Sequence, residues 1–104
     1  MFNAKRTRAV AAPTSVAAGA ATDVSDLVSA TVQLSGTFTG TYQCQVCFDG
    51  TGTNFVAQAS ALTAPGSVSI PDGATHVRWN CTAYTSGTPA SGLGGLKTAL
   101  GGGI

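Results

Sequence analysis

The sequence predicts an all-β chain, a small antiparallel β-sandwich of jelly-roll or immunoglobulin-like type, with an extended N-terminal arm and a glycine-rich C-terminal tail. Three observations lead there. Runs of apolar and polar residues alternate with a period of two, the signature of half-buried strands. Gly, Pro or Asp-Gly separates these runs at spacings of about ten residues. No amphipathic helix interrupts them. The anchoring run is Thr75 to Thr88, where Val77, Trp79, Cys81 and Ala83 fall on one side and His76, Arg78, Asn80, Thr82 and Tyr84 on the other. Thr41 to Phe48 repeats the pattern, with Tyr42, Cys44, Val46 and Phe48 on one face and Gln43, Gln45 and Cys47 on the opposite one. Together these inward positions seed a core.

In chain order, residues 1–27 form the arm, 28–88 the sandwich and 89–104 the tail. The arm is basic near its tip, at Lys5, Arg6 and Arg8, and small-residued beyond, with too little bulk to bury against its own domain. Its Ala-rich centre is broken by Pro13, Thr14, Ser15 and Gly19 and lacks Leu or Ile, which disfavours a secretory signal. Asp23 or Asp26 caps a short turn. Val28, Ala30, Val32 and Leu34 then alternate with Ser29, Thr31, Gln33 and Ser35 in a first strand ending at Gly36, and Phe38 turns inward in the connection to Thr41. Asp49-Gly50-Thr51-Gly52 supplies a hairpin turn into Asn54 to Ser60. Ala64-Pro65-Gly66 and Pro71-Asp72-Gly73 bracket a strand around Val68 and Ile70. In the tail, Leu93, Leu96 and Leu100 are spaced nearly as on a helix. Six of its last thirteen residues are glycine, however, so it is expected to order only against a partner.

Composition narrows the function. At 104 residues the chain is one domain, able to bury roughly two-thirds of the surface its unfolded form exposes. Five Lys or Arg stand against four Asp, a net charge of +1, without the basic stripe of a nucleic-acid binder. No run approaches the roughly 18 consecutive apolar residues of a membrane span. A neutral surface of Gly, Ala, Ser and Thr suits a protein packed against others, so neither nucleic acid nor membrane is expected as a partner.

The chemical constellations are thin. Cys44, Cys47, His76 and Cys81 are the residues to nominate for zinc, but residues three apart on a strand point to opposite faces, so no metal or other cofactor is expected. Three cysteines make no disulfide framework and suit a reducing compartment. With one His, no Glu and no Gly-x-Ser-x-Gly elbow, an enzyme is not expected. His76 beside Arg78 reads as a surface or interface pair, and Tyr84 points outward.

Phe48-Asp49-Gly50-Thr51-Gly52-Thr53-Asn54-Phe55, His76-Val77-Arg78 and Thr82 to Thr88 resemble motifs of small virion structural proteins of tailed bacteriophages, over residues 28–88. The resemblance implies a compact sandwich on the capsid surface, assembled in the host cytoplasm: a decoration or cement protein bridging subunits of the major capsid protein, and a homo-oligomer with a trimer favoured. Alternatives are a head-to-tail or tail component and a carbohydrate-binding module on the virion. Under this reading Lys5, Arg6 and Arg8 meet acidic capsid surface. Val10, Val16, Leu93, Leu96, Leu100 and Ile104 give apolar contact, and His76, Arg78 and Tyr84 present the outer face. Pro89 and the Gly-rich tail depart from the resemblance, where related chains continue into another alternating strand.

Overall fold

A computed structural model describes residues 3–98, and the regular structure in that span is entirely β. Its strands are β1 (Asn3–Ala9), β2 (Ala17–Ala18), β3 (Thr22–Asp23), β4 (Leu27–Cys47), β5 (Val56–Ala57), β6 (Gly66–Ser69) and β7 (His76–Thr98). Every pairing is antiparallel. The chain is thus all-β and antiparallel, as the alternation predicts.

The frame is one ribbon made of β4 and β7, in register from Leu27 opposite Lys97 to Cys47 opposite His76. At about 3.3 Å per residue a flat strand of this length would reach roughly 66 Å. The longest dimension of the protein is 48 Å, so the ribbon bends. The bend lies where the glycines are. Gly36 has φ +91°, and a Cβ there would sit 2.5 Å from Thr88 O; Gly87 has φ +102°, and a Cβ would run into Thr37 O and Phe38 Cα. Register shifts next to Gly40 and Tyr42 place extra residues on β7 and add twist at the same point.

Bending folds the ribbon's inner face onto itself. In the first half, residues 27–35 and 89–98 are flanked by β1 and β6; in the second, residues 41–47 and 76–83 are flanked by β2, β3 and β5. Leu27, Ala30, Val32, Leu34, Val68 and Leu93 from the first half meet Tyr42, Cys44, Val46, Val77, Trp79 and Cys81 from the second in one buried core. Each large aliphatic buried there contributes about 1.5–3 kcal/mol. Trp79 Nε1 crosses between the halves and donates to Ser91 Oγ at 2.7 Å, which in turn donates to Gln33 O at 2.7 Å. Phe38 packs edge-on against Tyr42, with ring centroids 5.2 Å apart.

Several expectations change. The tail through Thr98 is not an element waiting for a partner: it continues β7, clamped between β1 and β4. Its glycines suit this, because a Cβ on Gly95 would lie 3.0 Å from Ala30 Cβ. The arm also belongs to the sheet. Residues 3–9 pair with 92–98, Val10 is buried, and the Tyr42 hydroxyl donates to Pro13 O at 2.5 Å. Small residues supply little bulk, but their backbone groups have strands to pair with.

The expected strands at 28–35 and 41–48 are one strand, since Gly36 and Gly40 bend the chain without ending the pairing. Ser29 (φ 53°) begins a bulge that turns Leu27 inward and leaves Val28 half-buried. At the other end Cys47 is buried and Phe48 is 51% exposed, the reverse of strict alternation. There the chain leaves the strand for a turn in which Asp49 Oδ1 accepts from Cys47 Sγ (3.0 Å), Thr51 N and Thr51 Oγ1. The expected strand at 54–60 shrinks to the two residues of β5.

Candidate partner-binding surfaces

Two regions carry most of the residues nominated from the sequence. The first is the β1 end of the sandwich. Arg8 there is consumed internally: its guanidinium makes two 2.7 Å hydrogen bonds to the carboxylate oxygens of Asp26 and a third, 2.8 Å, to Asp23 O. Lys97 Nζ lies 3.8 Å from the same carboxylate. The Arg8 hydrogen bonds hold the Asp26 carboxyl down at about 2, so it stays ionised over the ordinary pH range. Arg8 therefore staples the arm to the turn before β4 instead of reaching outward. Lys5 and Arg6 remain exposed, and among the described residues neither has a carboxylate partner.

The apolar residues nominated alongside them divide. Val10 and Leu93 are each 4% exposed and sit in the chain's own core, which removes them from an outer contact surface. Leu96 is half-buried on the outer side of the first half, and Val16 stands out in solvent. Leu100 and Ile104 lie outside the described residues.

The second region is the outer face of the second half. His76 and Arg78 project there together, as the alternation requires. The Arg78 guanidinium lies 4.0 Å from the centroid of the Phe55 ring, and Arg78 Nε donates to Gln45 Oε1 at 2.8 Å. A cation–π contact of this kind at an accessible site is worth about 0.5–1 kcal/mol. It fixes β5 against the ribbon and presents a ring and a cation side by side. His76 stands opposite Asp23 in the register, with Nδ1 3.0 Å from Thr75 Oγ1 and its ring against Gly52. Phe48 and Val56, both about half exposed, lie at this end of the fold. The sequence missed Phe55 as a member of this face; its one signal was the aromatic closing the Asp-Gly turn.

Tyr84 is not freely presented. Its ring is half-buried against the core and its hydroxyl donates to Gly87 O at 2.5 Å, across the bend. Trp79 is fully buried. The three cysteines are free and buried, and burial pushes the Cys44 thiol up to about 12. Cys44, Cys47, His76 and Cys81 are not gathered around a point, and no metal-holding cluster of His, Cys, Asp or Glu occurs among the described residues. A shallow trough of about 960 Å³ crosses the outside of the first half, floored by Gly92 and Gly94 and bordered by Thr7, Thr31, Gln33 and Ser67.

The fold defines a class: a small antiparallel β-sandwich. No family model matches the chain, and no curated protein matches it. Among solved structures the chain is similar to the SPBc2 prophage-derived protein YomS, known from a crystal structure. The TM-score is 0.75 at 14% identity, covering 93% of this chain and 96% of the other. At that identity the likeness speaks for the fold.

Proposed function

We propose that this chain is a non-enzymatic structural protein of a bacteriophage particle, and within that class a capsid decoration protein that seats on the shell and bridges subunits of the major capsid protein. The observation that carries the reading is the shared architecture with a prophage-derived protein from nearly one end of both chains to the other. The match covers 93% of this chain and 96% of the other. The near-neutral composition, with nine charged residues in 104, supports a protein held in an assembly.

The geometry alters how bridging would work. Residues 3–10 and 89–98 are part of the sandwich, so contact falls to faces and edges: the Phe55, Arg78 and His76 face and the Lys5, Arg6 end. Self-association, as a trimer, would multiply these contacts over a symmetric shell. Purified particles test the reading by quantitative mass spectrometry and cryo-electron microscopy. Copy number comparable with that of the major capsid protein, and density on the outer shell, is the expected result. Copies confined to one neck or tail ring would make it a connector or tail protein, and absence from particles would overturn the proposal.

A further inference from the structure

β1 forms an edge of the first half: it pairs with β7 on one side, and among the described residues no strand lies on its other side. Which backbone groups face that open side follows from one hydrogen bond. Val10 N donates to Ser91 O at 3.2 Å, and Ala9 stands opposite Gly92. Val10 and Ser91 are therefore a hydrogen-bonded pair, and antiparallel alternation turns the even-numbered residues of β1 toward β7 and the odd-numbered ones away from it. Two side-chain bonds agree: Arg6 Nη1 donates to Lys5 O and Thr22 Oγ1 to Ala9 O, both at 3.1 Å. The outward groups left open are the amides of residues 3, 5, 7 and 9 and the carbonyls of 3 and 7. The pairing of β1 runs without a bulge, and the strand has no proline.

We propose that this edge accepts an extended, carboxylate-bearing polypeptide segment, which adds as a further strand beside residues 3–7. Charge selects the occupant. Lys5 and Arg6 project to opposite faces of the strand, so an incoming strand meets a cation on each face. Arg8, the next cation along, is neutralised by Asp26, and Thr22 closes the edge at Ala9, so the open and positive stretch is the same stretch. A second copy of this chain does not fit. Its β1 would set Lys5 and Arg6 against their own kind, and like charges directly opposite one another destabilise a strand pair. Its four carboxylates are no better placed: Asp26, Asp49 and Asp72 lie outside the strands and Asp23 ends the two-residue β3. Opposite-charge cross-strand pairs are favourable, and main-chain bonding to a sheet edge supplies the affinity in known cases of strand addition. The inference concerns the isolated chain and does not rest on its place in a particle.

The test is amide hydrogen exchange by NMR on the full chain, with two synthetic probes of equal length: one alternating Thr or Val with Glu, the other carrying Lys in place of Glu. With the acidic probe, the amides of Lys5 and Thr7 should slow by roughly tenfold or more, while those of Arg6 and Arg8, already bonded to β7, stay unchanged. The protection should vanish at about 1 M salt, where the Debye length is about 3 Å. It should also vanish in Lys5→Glu/Arg6→Glu, a variant of two exposed residues whose fold is checked by the unchanged even-numbered amides. Three results overturn the proposal: no selective protection by the acidic probe, equal protection by the basic one, or protection that grows with protein concentration alone and so marks a second copy as the occupant.

Discussion

Gly87→Ala should be among the most damaging single-methyl additions in this protein, and Gly50→Ala is its control. Both glycines have positive φ, +102° and +79°, where an L side chain costs about 1–2 kcal/mol. Their surroundings differ. A Cβ on Gly50 meets nothing within 4 Å, whereas one on Gly87 collides with Thr37 O and Phe38 Cα across the bend of the ribbon. Those are backbone atoms and cannot swing aside, so β4 and β7 must separate where the two halves fold together, at a further cost of about 1–3 kcal/mol. For a domain of this size about 1 kcal/mol moves Tm by roughly 4–8 °C. Gly50→Ala should lower Tm by about 4–16 °C, and Gly87→Ala by about 4–24 °C more, to the point of failing to fold at the upper end. Urea titration followed by tryptophan fluorescence reads the same difference, since Trp79 is the sole tryptophan and is fully buried. If the two variants fall within about 0.5 kcal/mol of each other, the bend does not depend on close strand approach at Gly87 and the account of how the sandwich closes is wrong.

Removing residues 1–10 should cost the fold and not merely a binding arm, because it strips β1 from β7 and takes Val10 from the core; circular dichroism and a lost or much weakened urea transition would show this, and a fully stable truncated chain would refute it. Asp26→Asn should lower stability by about 1 kcal/mol or less at neutral pH, in keeping with a partly exposed bidentate pair. The sign with pH follows from the depressed carboxyl. The Asp26 contribution is present above the unfolded value near 4, fades as pH falls toward about 2, and below that the variant and the parent should unfold alike in this respect. Thiol titration with a disulfide reagent should label none of Cys44, Cys47 and Cys81 in the native protein and all three after unfolding, with Cys44 doubly protected by burial and its raised pKa; rapid native labelling would contradict the core described.

Much of the fold is legible in the sequence itself. Alternation in Thr41–Val46 and in Val77–Cys81 placed Tyr42, Cys44, Val46, Val77, Trp79 and Cys81 inward, because a period of two on a sheet with one wet face leaves no other arrangement for large apolar groups. It failed at Cys47 and Phe48, where hydrogen bonding to Asp49 governs the chain, and at Leu27 and Val28, where a bulge at Ser29 reverses the faces. Arg8 shows the same limit for the surface. As a cation near the start of the chain it reads as an outward contact, yet Asp26, eighteen residues later, holds it.

The sequence by itself settled that this is an antiparallel β-protein with a core built from alternate residues, since that follows from side-chain periodicity, a local property of the backbone. Only the tertiary structure decided what the glycines and the two ends of the chain do. Gly36 and Gly40 read locally as breaks, but with a partner strand alongside they become, with Gly87, bends in unbroken strands, and residues 3–9 and 89–98, too poor in bulk to form a core, are ordered by hydrogen-bonding to each other and to β4. Backbone pairing between distant segments leaves no mark in the composition of either one, and so it becomes visible only once the chain has been folded.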